Sequence, residues 1–257
     1  MMEPLVKTER QGSVARITLN RPHQFNALSE GLIAELRAAL RAAGADEQVR
    51  VVVLAAEGRA FCAGHDLKEM RAAPSLGYYQ QLFADCAQMM LEVVRNPVPV
   101  IARVQGIATA AGCQLVAMCD LAVASADARF AVSGVNYGLF CSTPAVALSR
   151  NVSRKQAMEM LLTGEFISAD EAVQRGLINH AVPADQLDAA VQRLVDSITA
   201  KPRVAVAMGK QLFYKQLEMG IDAAYQLAGN TMACNMMDDC ALEGVLAFTE
   251  KRNPNWR

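Results

Sequence analysis

Most of the short signatures that indicate a bound nucleotide or a catalytic metal are missing from this chain of 257 residues. It has no Gly-x-Gly-x-x-Gly turn, no Gly-x-x-x-x-Gly-Lys-Ser/Thr loop, no Gly-x-Ser-x-Gly elbow and no His-Glu-x-x-His helix. Nucleotide-dependent redox chemistry and zinc proteolysis therefore lose support. The only histidines are His23, His65 and His180, which are too far apart to form a ligand spacing. We predict no metal site, and we expect His23 and His180 to be surface or loop residues.

An excess of charge of one sign is absent as well. Lys and Arg total 25 against 26 Asp and Glu, without a run of like charge, which argues against nucleic acid and anionic membrane surfaces as partners. No apolar run reaches the length of a bilayer, so membrane insertion is not expected. The first ten residues lack the apolar core of a signal peptide. The seven cysteines contain no Cys-x-x-Cys pair, which argues against a disulfide framework. These features predict a protein that binds a small molecule in the cytoplasm.

The chain does contain a regular alternation of apolar runs and helical periodicity. Short apolar runs at 14–19, 51–54, 100–104 and 121–124 are typical of strands. The run at 51–54 is continuous, as expected for a strand covered on both faces, and 100–104 is expected to be another buried strand. Segments 29–44, 76–94 and 111–118 place apolar residues at helical spacing, and Ser29 can cap the first of these helices. This rhythm predicts an α/β fold with a mostly parallel sheet and right-handed crossovers.

Helices dominate after residue 153. Ser168 and Glu171 have the spacing of a capping box, and Gly176 is a natural stop for the helix that it opens. We predict a core over 1–200 and a C-terminal helical region over 201–257. Many apolar side chains in this second region predict contacts between subunits. The alternative, that these helices pack only on their own domain, stays open.

Two loops carry the strongest functional signal. The first is Ala60-Phe61-Cys62-Ala63-Gly64-His65-Asp66-Leu67, and the second runs from Pro99 through Gly106 and Ala110-Ala111-Gly112 to Asp120. On these loops, and on the spaced segments 158–164, 167–177 and 248–252, the chain is identified as a member of the crotonase superfamily, the enoyl-CoA hydratase/isomerase fold. The resemblance extends from about residue 17 to residue 256. It implies a spiral of ββα turns followed by a helical trimerisation region, with assembly as a homotrimer or a dimer of trimers.

The resemblance also implies an acyl-CoA thioester as substrate or ligand, with no permanently bound cofactor. Backbone N–H donors that are fixed before reaction stabilise negative charge on a thioester oxygen. The resemblance assigns this oxyanion hole to the amides of His65 and Ala111, beside the positive end of the helix that begins near Ala111. Coenzyme A contacts are expected from a larger set, namely Ala63, Asp66, Leu67, Lys68, Tyr137, Phe140, Phe248 and Lys251. Of these, Phe248 and Lys251 would help to enclose the cofactor of either their own chain or a neighbouring one.

Two expected acids are absent. Enoyl-CoA hydratases of the superfamily position water with two glutamates, and the matching positions here are Gln114 and Gly134. A glutamine does not exchange a proton at accessible pH, and a positioned acid or base supplies about 10²–10⁴-fold in rate. The ordinary hydratase mechanism is therefore disfavoured, and restoring both acids with Gln114→Glu and Gly134→Glu is expected to raise hydration. Gln114 and the segment 134–144 resemble a divergent branch, the enoyl-CoA hydratase domain-containing protein 3 group.

Other residues could take over the missing role. His65 is the best candidate because an imidazole can titrate near neutral pH, although its amide is already assigned to the oxyanion hole. Cys141 could be a nucleophile or an inert lining residue, and Tyr137 or Asn136 could bind an acyl substituent. We expect structural roles for Asp120 and for the Asp66 side chain.

Two functions stay open. The first is an acyl-CoA enzyme that stabilises a thioester enolate during hydration, isomerisation, decarboxylation or thioester cleavage. The second is a non-catalytic or weakly catalytic acyl-CoA-binding protein. The intact loops are compatible with both functions. The missing acids favour the binding protein. The retained oxyanion hole favours the enzyme, because electrostatic stabilisation is usually the largest contribution to catalysis.

Overall fold

The computed structural model describes residues 3–72 and 74–256, so the outermost limits of the predicted 1–200 and 201–257 regions lie outside the described residues. The strands of the described part are Val6–Gln11 (β1), Val14–Leu19 (β2), Val51–Ala56 (β3), Ala60–Cys62 (β4), Val100–Val104 (β5), Ile107–Thr109 (β6), Leu121–Ser125 (β7), Arg129–Ala131 (β8), Ile167–Ser168 (β9) and His180–Val182 (β10). The α-helices are Glu30–Ala45 (α1), Leu67–Ala72 (α2), Leu76–Arg95 (α3), Ala111–Met118 (α4), Ser142–Leu148 (α5), Arg154–Thr163 (α6), Ala169–Gln174 (α7), Leu187–Thr199 (α8), Arg203–Gln216 (α9), Ile221–Met236 (α10) and Asp239–Thr249 (α11).

The strands form two sheets. The larger has the order β1-β2-β3-β5-β7-β10, and all of its neighbouring pairs are parallel except the hairpin β1–β2. The smaller has the order β4-β6-β8-β9, with only β8–β9 antiparallel. Three successive strand pairs, β3–β4, β5–β6 and β7–β8, each give one strand to each sheet and are followed by helix. The expected spiral of ββα turns is therefore confirmed.

The central strands are buried on both faces. Every residue of β3 is buried, and its side chains alternate between two apolar cores. One core is covered by α8 through Leu187 and Val191, and the larger core by α1 and α3. Because burying one such apolar side chain stabilises the fold by about 1.5–3 kcal/mol, these two layers fix the sheet that carries the site.

The longer predicted elements are confirmed. Ser29 caps α1 by accepting a hydrogen bond from Leu32 N–H, and Ser168 with Glu171 forms the predicted capping box of α7. The predictions did not include the smaller sheet or the antiparallel hairpin β1–β2. The strands of the smaller sheet have only two or three residues, too few to show a periodic pattern. Strand β1 has six residues, but only Val6 is buried, so it has no alternating apolar pattern.

Helices α9 to α11 form the C-terminal region. Helix α10 has no buried residue, and it exposes large apolar side chains that include Ile221, Tyr225 and Met232. Only Ala247 of α11 is buried among its described residues. The predicted exposed apolar faces are present on these helices.

Candidate active site

The first loop is held in place by the segment between β2 and α1. Leu28 N–H donates to Gly64 O at 2.8 Å, and Asp66 N–H donates to Leu28 O at 3.0 Å. These two bonds make an isolated parallel bridge between Leu28 and His65. In parallel pairing, Leu28 bonds to the residues on either side of its partner, so the N–H of His65 points away from Leu28.

The second loop turns sharply between β6 and α4. Ala110 has φ 50° and ψ −120°, a conformation that is unusual for a residue with a Cβ atom and costs about 1–3 kcal/mol. Its N–H is fixed to Ala131 O at 2.9 Å, and no side chain caps the helix. Because the first turn of a helix has no internal acceptors, the Ala111 N–H is left free at a helix end whose residues are buried.

Small residues let the two loops touch. Gly64 has φ +90°, and a Cβ atom built there would lie 2.9 Å from Ala110 Cβ and 3.4 Å from Ala111 N. A Cβ atom on Gly112 would lie 2.1 Å from Cys62 O, so α4 begins directly against the end of β4. Gly112 needs to be glycine because the Cys62 carbonyl occupies the space of a side chain, and Gly64 because a Cβ atom would press on Ala110 at a positive φ.

Two main-chain donors are consequently available at one place. Among the described residues, no intramolecular hydrogen bond uses the N–H of His65 or of Ala111. Both amides belong to the segments that meet at Gly64, and the N-terminus of α4 adds its positive dipole end. The arrangement can hold a carbonyl oxygen on which negative charge develops.

The imidazole of His65 is unsuited to proton transfer at neutral pH. Its ring packs edge-to-face on Phe83 with centroids 5.4 Å apart, and its Nε2 is buried without a hydrogen-bond partner in the described structure. Burial lowers the pKa of His65 from 6.5 to about 4. The expectation that it titrates near neutral pH is therefore wrong for this environment.

Gln114 and Gly134, at the positions of the missing acids, have different surroundings. Gln114 is only 5% exposed, and its Oε1 has no hydrogen-bond partner among the described residues. A Cβ atom on Gly134 would lie 2.4 Å from Leu139 O and 2.7 Å from Cys141 Sγ. The chain after Gly134 has thus closed over the space that a glutamate would need. The expectation that the two Glu substitutions raise hydration stays a prediction, and Gly134→Glu would require segment 139–141 to move.

Four of the residues that are predicted to contact coenzyme A lie in the first loop or directly after it. Asp66 accepts from Arg21 Nη2 at 3.0 Å and from the N–H of Lys68 at 3.1 Å, which confirms that its side chain braces the loop. Its pKa is lowered, since these hydrogen bonds from Arg21 and from the start of α2 outweigh desolvation. Leu67 and Lys68 are exposed and Ala63 is half-buried, so all three lie at the edge of the site.

The remaining predicted contact residues lie on two other surfaces. Tyr137 is 76% exposed and Phe140 43% exposed, both on the segment that closes over Gly134. Phe248 is 84% exposed, and Lys251 follows α11 with φ 55°. The end of this region is fixed to the end of α8, where Trp256 Nε1 donates to Ala200 O at 3.0 Å.

Three other candidate side chains have clear environments. Cys141 accepts from Gly134 N–H at 3.3 Å, and burial raises its pKa, so it is a neutral thiol rather than an activated nucleophile. Asn136 is exposed and donates to Gly164 O at 3.3 Å. Asp120 has the predicted structural role, because it pairs with Lys210 at 2.7 Å and accepts from Tyr214 Oη at 2.9 Å.

Two polar residues that the sequence reasoning missed support the first loop. Asn26 is fully buried and donates to Glu57 O at 2.9 Å and to Ala60 O at 2.8 Å, while Arg21 Nη1 donates to Ala27 O at 2.6 Å. Their place in the sequence could have indicated this role. Both side chains can form hydrogen bonds, and both follow a buried strand in a loop whose backbone N–H and C=O groups have no ladder partners.

The large cavity of 1770 Å³ lies elsewhere. It is lined by Met118 at the C-terminal end of α4 and by residues of α3, α5, α9 and α11, so it does not contain the amides at the other end of α4. No group of three or more His, Cys, Asp or Glu within residues 3–72 and 74–256 is arranged to hold a metal ion. In the same residues, no helix is both long and apolar enough to cross a bilayer.

Comparison with known proteins identifies the family of the chain. The family model for enoyl-CoA hydratase/isomerase matches residues 9–257. The chain is 46% identical over 252 residues to the mouse mitochondrial enoyl-CoA hydratase domain-containing protein 3, covering 98% of this chain and 84% of the relative. The human protein of the same name is 43% identical over 255 residues, with 99% and 84% coverage.

Two solved structures match this chain over nearly its whole length. The crystal structure of an enoyl-CoA hydratase from Mycobacterium smegmatis has a TM-score of 0.98 and 64% identity, with 99% of both chains covered. That of human enoyl-CoA hydratase domain-containing protein 3 has a TM-score of 0.95 and 42% identity, covering 98% of this chain and 100% of that one.

The relatives correct the predicted location and confirm the predicted family. The predicted cytoplasmic location is wrong on this comparison, because the mouse and human relatives are both named as mitochondrial proteins. Free cysteines indicate a reducing compartment, and composition does not separate one such compartment from another. With the motif order, the ββα spiral and the paired loops in agreement, the chain belongs to the enoyl-CoA hydratase/isomerase family.

Proposed function

We propose that this protein binds an acyl-CoA thioester and stabilises negative charge on the thioester oxygen through the amides of His65 and Ala111. The supporting observation is that these two N–H groups lack an acceptor in the described structure while their loops touch at Gly64. Removing one donor of an oxyanion hole typically costs about 2.7–4 kcal/mol in the activation barrier. The chemistry that follows from such a site is formation of an enolate at the α-carbon.

Hydration by two carboxylates is not the proposed reaction. Gln114 cannot exchange a proton at accessible pH, and the space beside Gly134 is filled by Leu139 O and Cys141 Sγ. Cys141 and His65 are neutral at pH 7 and are held by their own contacts. The proposed activity is thus enolate chemistry whose proton steps involve the substrate or water.

A non-catalytic or weakly catalytic acyl-CoA-binding protein is the second candidate. The observation that favours it is the closed segment over Gly134, which removes the place of one acid as well as its side chain. Both candidates predict thioester binding, and they differ in whether the α-hydrogen of the bound acyl group exchanges with solvent.

Gly64→Ala tests the oxyanion hole. Its Cβ atom would lie 2.9 Å from Ala110 Cβ at a φ of +90°, so the loops must separate and the two amides lose their alignment. We expect exchange of the α-hydrogen of butyryl-CoA in heavy water, followed by NMR, to fall by about 10²–10³-fold in this variant. Exchange at the same rate in both proteins would contradict the proposed site, whereas binding without exchange in the unmodified protein would favour the second candidate.

Gly77→Ala is the matched control. A Cβ atom on Gly77 has nothing within 4 Å, and the residue lies in the exposed first turn of α3. The substitution therefore leaves the loops untouched, and we expect exchange at the unmodified rate. A parallel loss in this control would show that the effect of Gly64→Ala does not come from the site.

The C-terminal region, residues 201–257, is proposed to join subunits of a homotrimer or a dimer of trimers, with residues 1–200 as the acyl-CoA-binding core. The support is the exposure of large apolar side chains along α10 and α11, which a second copy would cover. Phe248 and Lys251 would then enclose coenzyme A bound to a neighbouring copy. Sedimentation equilibrium tests the assembly, and a single monomeric species would contradict it.

A further inference from the structure

The segment between β2 and α1 has a strained backbone. Phe25 has φ 51° and Asn26 has φ 54°, so two successive residues with Cβ atoms lie in the left-handed region. Asparagine tolerates this region, whereas a bulky phenylalanine rarely adopts it. Such strain persists only where surrounding contacts hold the backbone in place, and it is concentrated at functional sites. The contacts that hold this segment therefore indicate what it does.

Asn26 supplies many of these contacts. Its side chain is fully buried, and its Oδ1 accepts from Arg21 N–H at 2.8 Å. Its Nδ2 donates to Glu57 O at 2.9 Å and to Ala60 O at 2.8 Å. Glu57 directly follows β3, and Ala60 is the first residue of β4. One buried side chain thus ties the strained segment to both sheets.

The Arg21 side chain holds the same segment to the first loop. Its Nη1 donates to Ala27 O at 2.6 Å, and its Nη2 pairs with Asp66 at 3.0 Å. Both side chains of this ion pair are largely buried, so salt screens the pair less than it screens a surface pair. Because Asp66 directly follows His65, this ion pair lies one residue from a donor of the oxyanion hole.

These contacts converge on the peptide group that carries the His65 donor. Leu28 N–H donates to Gly64 O at 2.8 Å, and Ala63 N–H donates to Phe25 O at 3.0 Å. Gly64 O and His65 N–H belong to one planar trans peptide group, so they point in opposite directions. The bond from Leu28 therefore fixes the direction of the His65 N–H. It also polarises this N–H, because successive hydrogen bonds through a peptide group strengthen one another.

We propose that Asn26 and Arg21 are positioning residues for the oxyanion hole. Through Leu28 they hold the N–H of His65 in the direction of the thioester oxygen, without contacting the ligand themselves. A donor that is fixed before reaction needs no reorganisation, and a misplacement of about 1 Å can lower the rate about 10²-fold. The inference rests on the proposed binding of an acyl-CoA thioester at this site.

The test is the infrared spectrum of bound butyryl-CoA that carries ¹³C at its thioester carbonyl. Hydrogen bonds to the carbonyl oxygen lower its stretching frequency, so the shift on binding reports the donors directly. Asn26→Gly removes the side-chain bonds and keeps a positive φ accessible. We expect this variant to lose about half of the shift, because one of two donors is misdirected. A residue that only stabilises the fold would leave the carbonyl band of the bound thioester unchanged.

Asn96→Gly is the matched control. Asn96 is 5% exposed, and both of its side-chain groups bond to backbone. Its Nδ2 donates to Leu40 O at 2.8 Å, and its Oδ1 accepts from Val98 N–H at 3.2 Å, at the end of α3. This variant should lose stability and keep the full carbonyl shift, because neither loop is touched.

Arg21→Lys decides the question where Asn26→Gly does not fold. A lysine keeps the charge beside Asp66 but lacks the fork that holds Asp66 and Ala27 O together, so we expect a smaller loss of the shift. A full shift in the folded positioning variants, or an equal loss in the control, would overturn this inference alone. Absence of binding, or of any shift on binding, in the unmodified protein would overturn the proposed function and this inference with it.

Discussion

At the scale of single residues, the site is defined by atoms that have no partner within the described structure. The N–H groups of His65 and Ala111 and the Oε1 of Gln114 all belong to this class. A folded chain rarely leaves buried polar atoms unpaired, because each costs about 1–3 kcal/mol. The two amides belong to the loops that meet at Gly64, which is the physical reason to assign a ligand to this place; unpaired buried side-chain atoms also occur at Tyr78, Ser125 and Asn235.

Residue environments also explain what the sequence could and could not predict. Glycine at 64 and 112 was expected from the motifs, and the structure shows that a Cβ atom at 64 would press on Ala110 and one at 112 on the Cys62 carbonyl. The identity of Gln114 and Gly134 was equally evident in the sequence. The closure of segment 139–141 over Gly134 was not, because it depends on a non-local contact that no pattern reports. The low pKa of His65 arises from burial against Phe83 and could not be inferred from residue type.

The pH dependence of stability tests the environment of His65. Burial lowers its folded-state pKa from 6.5 to about 4, so the unfolded chain takes up this proton first as pH falls. The contribution is fully present above pH 6.5 and is lost as pH falls toward 4. From pH 7 to pH 5 we expect this group to lower the free energy of unfolding by about 2 kcal/mol in urea titrations. His65→Leu should remove that part of the loss. An identical acid-induced loss in the variant would show that the imidazole is not buried as described.

At the scale of elements, α4 joins the candidate site to the C-terminal region. Its N-terminus supplies the Ala111 amide, and Asp120 directly after the helix is tied to α9 through Lys210 and Tyr214. Lys210 also donates to Val93 O and Val98 O, both at 3.0 Å. The helix itself was predictable from its apolar residues. This buried ion pair was not, because it joins residues 90 positions apart in sequence.

Lys210→Met tests this connection. The substitution removes the cation, and within the described structure the largely buried carboxylate of Asp120 then keeps Tyr214 and Val100 N–H as its donors. Breaking a buried pair in this way typically costs about 3–5 kcal/mol, and we expect a loss of that size in the free energy of unfolding. Lys215→Met, an exposed position on the same helix, should change it by less than about 0.5 kcal/mol. Equal small effects of both substitutions would contradict the structural role of Asp120.

At the scale of the whole molecule, the two sheets hold the two loops in fixed relation. The first loop contains β4, and the second contains β5 and β6. Strand β4 pairs with β6 in the smaller sheet, and β3 pairs with β5 in the larger one. The order of the long elements gave the fold class, because continuous apolar strands and capped helices leave strong local patterns. The short strands of the smaller sheet show no periodic pattern of apolar residues. The proximity of the two loops was therefore predicted only through the family resemblance, and the structure shows how the strands bring it about.

The most direct test of the account is a crystal structure of the protein with butyryl-CoA bound. We expect the thioester oxygen to lie about 2.7–3.1 Å from both the His65 and the Ala111 nitrogen atoms. A bound thioester whose oxygen faces solvent, or contacts neither amide, would contradict the proposed site.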